Sequence, residues 1–228
     1  MSKITLIPCV DPKDPVESAR KYNHTGADVI AYYEEKASID TVKAIKEVID
    51  VPLYVGGGIR DLEDVKKVLY AGADKVCLGA SVLEDKDIVK KASDRFGKGQ
   101  VMVSMDLEQL EDPAAFAKEM QRLGAGELLL LAADGYDKKM EAVNAVKSQT
   151  DLPIVISVPS VESMMTAADG TDAEAVAIHD AGDFSVLDLK KECKNKGLDV
   201  CLMESPIPFE EFKLNSDGLL PVVTQDYK

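Results

Sequence analysis

Histidine is almost absent from this chain, which carries only His24 and His179. A multi-histidine metal centre therefore cannot be assembled, and a Ser-His-Asp triad would have to use one of these two residues. Long runs of lysine and arginine are also missing, and the formal net charge is -14. That balance excludes the basic stripe on which a nucleic-acid backbone condenses. It does not exclude a small anion, because backbone amides at helix N-termini bind phosphate whatever the net charge. Apolar runs such as Leu128 to Ala133 fall far short of the roughly 20 residues that a membrane helix needs, so no membrane partner is expected. The four cysteines, Cys9, Cys77, Cys193 and Cys201, form no CxxC pair, and no basic segment followed by an apolar stretch opens the chain. Together these features predict a cytoplasmic protein with reduced thiols, no metal and no resident cofactor.

What the chain does contain is enough apolar material for a large core, with 46% hydrophobic and 30% charged residues over 228 positions. Short β-rich runs recur at Ile4 to Val10, Asp28 to Tyr33, Pro52 to Val55, Lys75 to Leu78, Val101 to Met105, Glu127 to Leu131, Pro153 to Val158 and Glu174 to Ile178. Between them lie segments of helical period. Leu62, Val65 and Leu69 share one face and Phe116, Met120 and Leu123 another, with charged residues opposed. Apolar runs without strict alternation suit strands covered on both sides, as in a parallel α/β sheet. An open doubly wound sheet and a closed barrel both fit this pattern.

An internal repeat decides between them. Asp14-Pro15 precedes Gly26-Ala27-Asp28 at the same spacing as Asp112-Pro113 precedes Gly124-Ala125-Gly126. Further on, Val51-Pro52-Leu53-Tyr54-Val55 corresponds to Leu152-Pro153-Ile154-Val155-Ile156, and Ala73-Asp74-Lys75-Val76 to Ala173-Glu174-Ala175-Val176. Ordered landmarks at near-constant offset indicate duplication. Two (βα)4 halves then close as one (βα)8 TIM barrel over residues 1–197.

The motifs Ile7-Pro8-Cys9-Val10-Asp11, Val55-Gly56-Gly57-Gly58-Ile59-Arg60-Asp61, Ala71-Gly72-Ala73-Asp74-Lys75-Val76 and the stretch from Arg122 to Leu129 resemble the cyclase subunit of imidazole glycerol phosphate synthase. They resemble less closely its sister isomerase of histidine biosynthesis. The resemblance covers about the first 200 residues and implies a barrel of the ribulose-phosphate-binding type. It implies that Gly57, Gly58, Gly79, Ala80 and Ser81 hold the phosphate of a phosphorylated ribosyl small molecule. Glycine suits that role, since it lets successive N–H groups approach phosphate oxygens beside a helix start, although a Gly-rich loop can equally serve a tight turn. Asp61 would cap that helix, with Asp64 at the third position. The resemblance further implies Asp11 and Asp106 as the catalytic acid–base pair and Asp134 as a substrate contact. An aspartate that closes a strand can instead cap the turn that follows.

Several stretches depart from the family pattern. Pro12-Lys13-Asp14-Pro15 runs almost directly into a helix where the family carries a long basic loop, and the excursion after Asp106 is reduced to Leu107 to Glu111. Ser157-Val158-Pro159-Ser160 and His179-Asp180-Ala181-Gly182 replace the small residues of a second phosphate site. There valine is expected to block close approach and proline to remove a donor. The segment Ala132 to Asp137 keeps Asp134 but loses the family's arginine and threonine. His179 reads as a polar strand end in a solvent-facing loop, Met164 and Met165 as packing residues, and Cys9 and Cys77 as buried and inert.

Beyond Gly197, residues 198–228 read as a short strand from Leu198 to Glu204, a linker through Ser205-Pro206-Ile207-Pro208, and a closing run from Phe212 to Tyr227. That run resembles the opening strand of phosphoribosyl-AMP cyclohydrolase, which implies the truncated beginning of a fused cyclohydrolase domain as partner. The expected function is a histidine-biosynthesis barrel that binds a phosphoribosyl metabolite at one retained phosphate site and is catalytically impaired. A working lyase or sugar-phosphate isomerase using Asp11 and Asp106, and a non-catalytic scaffold or partner-docking barrel, are the alternatives.

Overall fold

The computed structural model describes residues 3–35, 37–131, 139–164, 167, 173–180 and 185–202, together with Glu211, Lys213 and Ser216. Eight parallel strands form one sheet: β1 (Thr5–Pro8), β2 (Ile30–Tyr33), β3 (Leu53–Gly56), β4 (Lys75–Leu78), β5 (Val101–Asp106), β6 (Glu127–Leu131), β7 (Ile154–Ser160) and β8 (Ala175–Asp180). Each pairs with its neighbour in chain order, and β1 pairs with β8 in the register Thr5 to Ala175 through Pro8 to Ile178. A parallel bridge between Cys9 and Ala31, with Val10 N donating to Ala31 O over 2.9 Å, joins β1 to β2 and closes the barrel. The open-sheet alternative is thereby set aside, and the fold is a (βα)8 barrel.

The intervening helices are α1 (Pro15–His24), α2 (Ile39–Lys46), α3 (Leu62–Tyr70), α4 (Ala80–Glu84), α5 (Asp87–Phe96), α6 (Pro113–Leu123), α7 (Met140–Gln149) and α8 (Val186–Asn195). A helical turn at 161–164 follows β7, and Met164 within it is fully buried. Met165 lies outside the described residues. The helical periods fall as expected, with Phe116, Met120 and Leu123 buried on α6 and Val65 buried on α3.

Local chemistry explains the helix ends. Asp61 accepts from Asp64 N at 2.9 Å while Arg60 N donates to the Asp64 carboxylate at 3.2 Å, a reciprocal cap of the first turn of α3. Asp112 caps α6 through Ala115 N, ahead of Pro113 at the first helical position. The repeat is equally visible at the C-termini. Ala27 N reaches back to Tyr22 O and Ala125 N to Met120 O, each over 3.0 Å, across Gly26 and Gly124 at φ 87° and 98°. This is the glycine-dependent termination in which the chain leaves a helix through the left-handed region.

Two apolar layers result. The larger lies between strands and helices and includes Leu6, Ile30, Leu53, Leu78, Leu128 and Ile156. The smaller fills the barrel itself with Ile7, Cys9, Cys77, Met102, Leu129 and Val155. At the N-terminal end of the barrel Lys75 pairs with Glu127, and its ammonium lies 4.5 Å from the centre of the Tyr54 ring. Burial alone would lower the Lys75 pKa, but the charge and hydrogen bond of Glu127 outweigh it and leave it raised. That end is thus closed by a satisfied ion pair, and the open mouth lies at the C-terminal ends of the strands.

Of the strand expected from Leu198 to Glu204, the described residues 198–202 form one bridge, Val200 to Ile4, with Ile4 N donating to Asp199 O at 2.7 Å, and Met203 and Glu204 lie outside the described residues. Cys201 is already exposed. Thr5 N and Cys9 N donate towards β8, to Glu174 O and Ile178 O, so the alternation of the strand turns Ile4 N to the opposite edge, where Asp199 O meets it. Val200 is buried against the barrel core, while the segment resembling a cyclohydrolase strand lies almost wholly outside the described residues.

Candidate functional site

At the mouth, the ends of β2 to β4 and the turns after them enclose a cavity of about 670 Å³. Gly57, Gly58, Gly79, Ala80 and Ser81 all line it, so the residues named for phosphate come together in one place. Gly57 and Gly58 have φ of 94° and 66°, which side-chain-bearing residues rarely adopt. A Cβ on Gly57 would lie 1.5 Å from Glu34 O, so backbone packing against the turn after β2 by itself demands glycine there. A Cβ on Gly79 would meet Ser104 Oγ at 3.0 Å.

Ser81 adds a feature that the turn does not require. Its Oγ is buried and makes no hydrogen bond among the described residues, in a wall of the cavity. Buried hydroxyls are as a rule paired, so an orphan beside a cavity is a donor or acceptor left for a ligand. Arg60 lines the same cavity and supplies a cation there.

The two aspartates are placed differently. Asp11 is exposed, and Asp106 is half-buried in an adjacent cavity of about 220 Å³ that shares Gly79, Ala80 and Ser104 with the first. Both hold the turn that follows: Lys13 N donates to Asp11 Oδ1 and Glu108 N to Asp106 Oδ1, each over 2.9 Å. Asp11 is not among the residues lining either cavity. Asp134 lies outside the described residues.

The second half of the mouth corrects two expectations. His179 is part of β8 and not of a loop, and its Nε2 lies 2.6 Å from Ser157 Oγ on β7. It lines the larger cavity, and partial burial lowers its pKa below the ordinary imidazole value. Val158 does not face the mouth. Strand alternation turns it into the helix-facing core, where it is fully buried, and leaves Ser157 pointing inward. Tyr33, Ser104 and His179 are lining residues that the sequence reading missed or set aside. Their signal was periodicity, since each sits on the inward parity of its strand near the C-terminal end.

Cys9 and Cys77 are buried, as expected. Burial pushes the Cys77 thiol up to about 12 and the Cys9 thiol higher still, which keeps both protonated and unreactive. Among the described residues no cluster of metal-ligating side chains is formed, and no helix is long and apolar enough to cross a membrane.

A family model described as "Histidine biosynthesis protein" matches residues 8–177. The chain is 33% identical to the imidazole glycerol phosphate synthase subunit HisF of Sulfolobus acidocaldarius, over 86% of this chain and 91% of that protein. It is 30% identical to the subunit of the same name from Streptococcus mutans, over 88% of this chain and all of the relative. With the family model spanning most of the barrel and relatives of this identity along nearly its whole length, the chain belongs to the histidine biosynthesis protein family.

Proposed function

We propose that this barrel binds a phosphoribosyl metabolite through one phosphate site, formed by Gly57, Gly58, Gly79, Ala80 and Ser81, and that it is impaired as a cyclase. The observation that carries the binding reading is the buried, unpartnered Ser81 Oγ in a glycine-lined cavity beside Arg60. Impairment is supported by the brevity of the connections that follow the two aspartates, residues 12–14 and 107–112, which leave little chain to close over a substrate and exclude water. The run from Phe212 to Tyr227 supports reading the tail as the start of a cyclohydrolase-like unit. An immunoblot of the native source against the barrel would then show a band well above 24.7 kDa.

Calorimetric titration with ribose 5-phosphate and with inorganic phosphate tests the binding reading. Both should bind, and Ser81→Ala should weaken both by about threefold to tenfold, the worth of one hydrogen bond, without lowering the melting temperature. Absence of binding by the unaltered chain would leave the scaffold reading.

A working lyase or isomerase is the second reading. It is favoured by the relatives, whose name is that of a synthase subunit, and by the equivalent placement of Asp11 and Asp106 at the ends of β1 and β5. Turnover of a pathway phosphoribosyl intermediate that disappears in Asp11→Asn would establish it and overturn impairment.

A further inference from the structure

Ser157 and His179 project from adjacent strands into the mouth, and neither was expected to carry function. The serine is buried and the histidine exposed, and of the two it is His179 that lines the larger cavity. Ser157 Oγ therefore sits behind the ring and holds it by Nε2 at 2.6 Å, while the Tyr33 ring lies 6.2 Å away at 45° on another side. One ring nitrogen is thereby fixed, and the ring as a whole borders the cavity.

The charges around the cavity are distributed unevenly. Arg60 is the one cation among its described lining residues, and it follows the glycine turn directly. Glu35 and Glu84 line the cavity as well, and Tyr33 and Cys77 complete its titratable wall. Burial holds the Tyr33 phenol and the Cys77 thiol well above their ordinary values, so both stay uncharged. Partial burial likewise disfavours the charged form of the His179 imidazole. Among the described residues lining the cavity, a dianionic group near His179 would find two carboxylates and no cation besides Arg60, which stands by the glycine turn. A hydroxyl or carbonyl would find a neutral donor or acceptor. The volume, about 670 Å³, is that of a small-molecule pocket and far exceeds what a phosphate ion fills.

We propose that His179, positioned by Ser157, is a second ligand-contacting residue of this cavity, reading the uncharged hydroxyl or carbonyl end of a sugar whose single phosphate lies on the glycine turns. The inference rests on the phosphate reading above and adds to it the class of ligand: a sugar monophosphate in preference to a bisphosphate.

The scarcity of histidine makes the test direct, since His24 on exposed α1 provides an internal control. Imidazole ¹⁵N spectra of the full chain would be recorded with inorganic phosphate, ribose 5-phosphate and ribulose 1,5-bisphosphate. Ribose 5-phosphate should move the His179 signals and leave those of His24 in place, inorganic phosphate should move neither, and the bisphosphate should bind no more tightly than the monophosphate. His179→Ala should weaken ribose 5-phosphate by about threefold to tenfold and leave inorganic phosphate unchanged. Ser157→Ala should alter the tautomer balance of His179, a signature that loss of packing alone would not produce. Ribose 5-phosphate binding that neither moves His179 nor weakens in His179→Ala would overturn this inference while leaving the phosphate reading intact. Tighter binding of the bisphosphate would overturn the uncharged-end assignment, and an unchanged tautomer balance in Ser157→Ala would overturn the role of the serine. Failure of both inorganic phosphate and ribose 5-phosphate to bind would overturn both readings together.

Discussion

Asp11 and Asp106 occupy the same point in the two halves of the barrel and perform the same local task. Asp106 ends β5 and Asp11 follows β1 by three residues, and each accepts the amide two residues downstream over 2.9 Å, Lys13 N in one case and Glu108 N in the other. Duplication has thus preserved a turn as well as a carboxylate. The turn needs an acceptor oxygen and no charge, whereas acid–base chemistry needs an ionisable group.

That difference makes the two roles separable. Asn retains a side-chain oxygen for the turn, so Asp11→Asn and Asp106→Asn should change urea-unfolding stability by less than about 0.5 kcal/mol. Asp11→Ala and Asp106→Ala should each cost about 1 kcal/mol, the net worth of one such bond. Any turnover that the chain retains should vanish in the Asn variants despite their intact fold. Equal loss of stability in the Asn and Ala variants would show that the turn is not what these residues hold.

Gly57 is fixed by its own neighbour. An added Cβ would approach Glu34 O to 1.5 Å at a φ of 94°, and Glu34 O belongs to the backbone, so no rotamer change can relieve the clash. Gly57→Ala should therefore destabilise the protein by several kcal/mol or prevent its accumulation in soluble form. Gly99, where a Cβ meets nothing within 4 Å, is the control, and Gly99→Ala should be neutral or stabilising by up to about 1 kcal/mol. Thermal melting of the two variants side by side checks the contrast.

The architecture was legible because its signals are periodic and repeated. Strand runs, helical faces and the glycine helix ends of the two halves each appear twice, and the parallel order β1 to β8 follows from right-handed alternation. The glycine turn at the mouth was legible for a related reason, because Gly57 and Gly58 take positive φ that few other residues adopt. The place of His179 was not. Whether His179 faces a loop, a cavity or solvent depends on where β8 ends, and strand ends are poorly encoded by propensity. Val158 was misread because it was treated as part of a turn, when β7 in fact continues through Ser160 and sends alternate side chains to opposite faces. The contact of Lys190 on α8 with Gly26 O and Asp28 Oδ1 could not be read at all, since it joins residues far apart in the chain.

Cysteine exposure gives a prediction about thiols and about pH. Cys201 is exposed, whereas Cys9, Cys77 and Cys193 are buried, and burial pushes the Cys193 thiol up to about 11 and that of Cys77 to about 12. One thiol per chain should react rapidly with an aromatic disulfide reagent at pH 8 and all four in denaturant. A raised thiol pKa means that the unfolded chain ionises first. The stability from these buried thiols is therefore complete below pH 9 and is lost as pH rises from 9 towards 12. Melting temperatures measured from pH 8 to pH 11 should fall, and Cys77→Ala should flatten that fall.

The last helix secures the seam at which the barrel closes. The Lys190 ammonium on α8 is almost fully buried and donates to Gly26 O and to Asp28 Oδ1, each at 2.7 Å, while Val186 N donates to Thr25 Oγ1 at 3.2 Å. These contacts hold the turn between α1 and β2, next to the junction where β1 and β2 are joined by the single bridge at Cys9 and Ala31. Removing the ammonium in Lys190→Met keeps most of the packed stem but leaves Asp28, whose Oδ2 is already buried without a partner, as an uncompensated charge. The Asp28 side chain retains 25% exposure, so the loss should be on the order of 2 kcal/mol, below the roughly 3–5 kcal/mol of a fully buried broken pair. Urea unfolding measures the total. Hydrogen exchange locates it: the Val10 amide, bonded to Ala31 O across the seam, should lose more protection than the Leu128 amide, which bonds Pro153 O on the far side of the barrel. Replacing both members of the pair, Lys190→Met with Asp28→Leu, should recover much of the loss, since an apolar contact leaves no stranded charge. If the double variant is as unstable as Lys190→Met alone, the bond to Gly26 O and not the ion pair is what closes the seam.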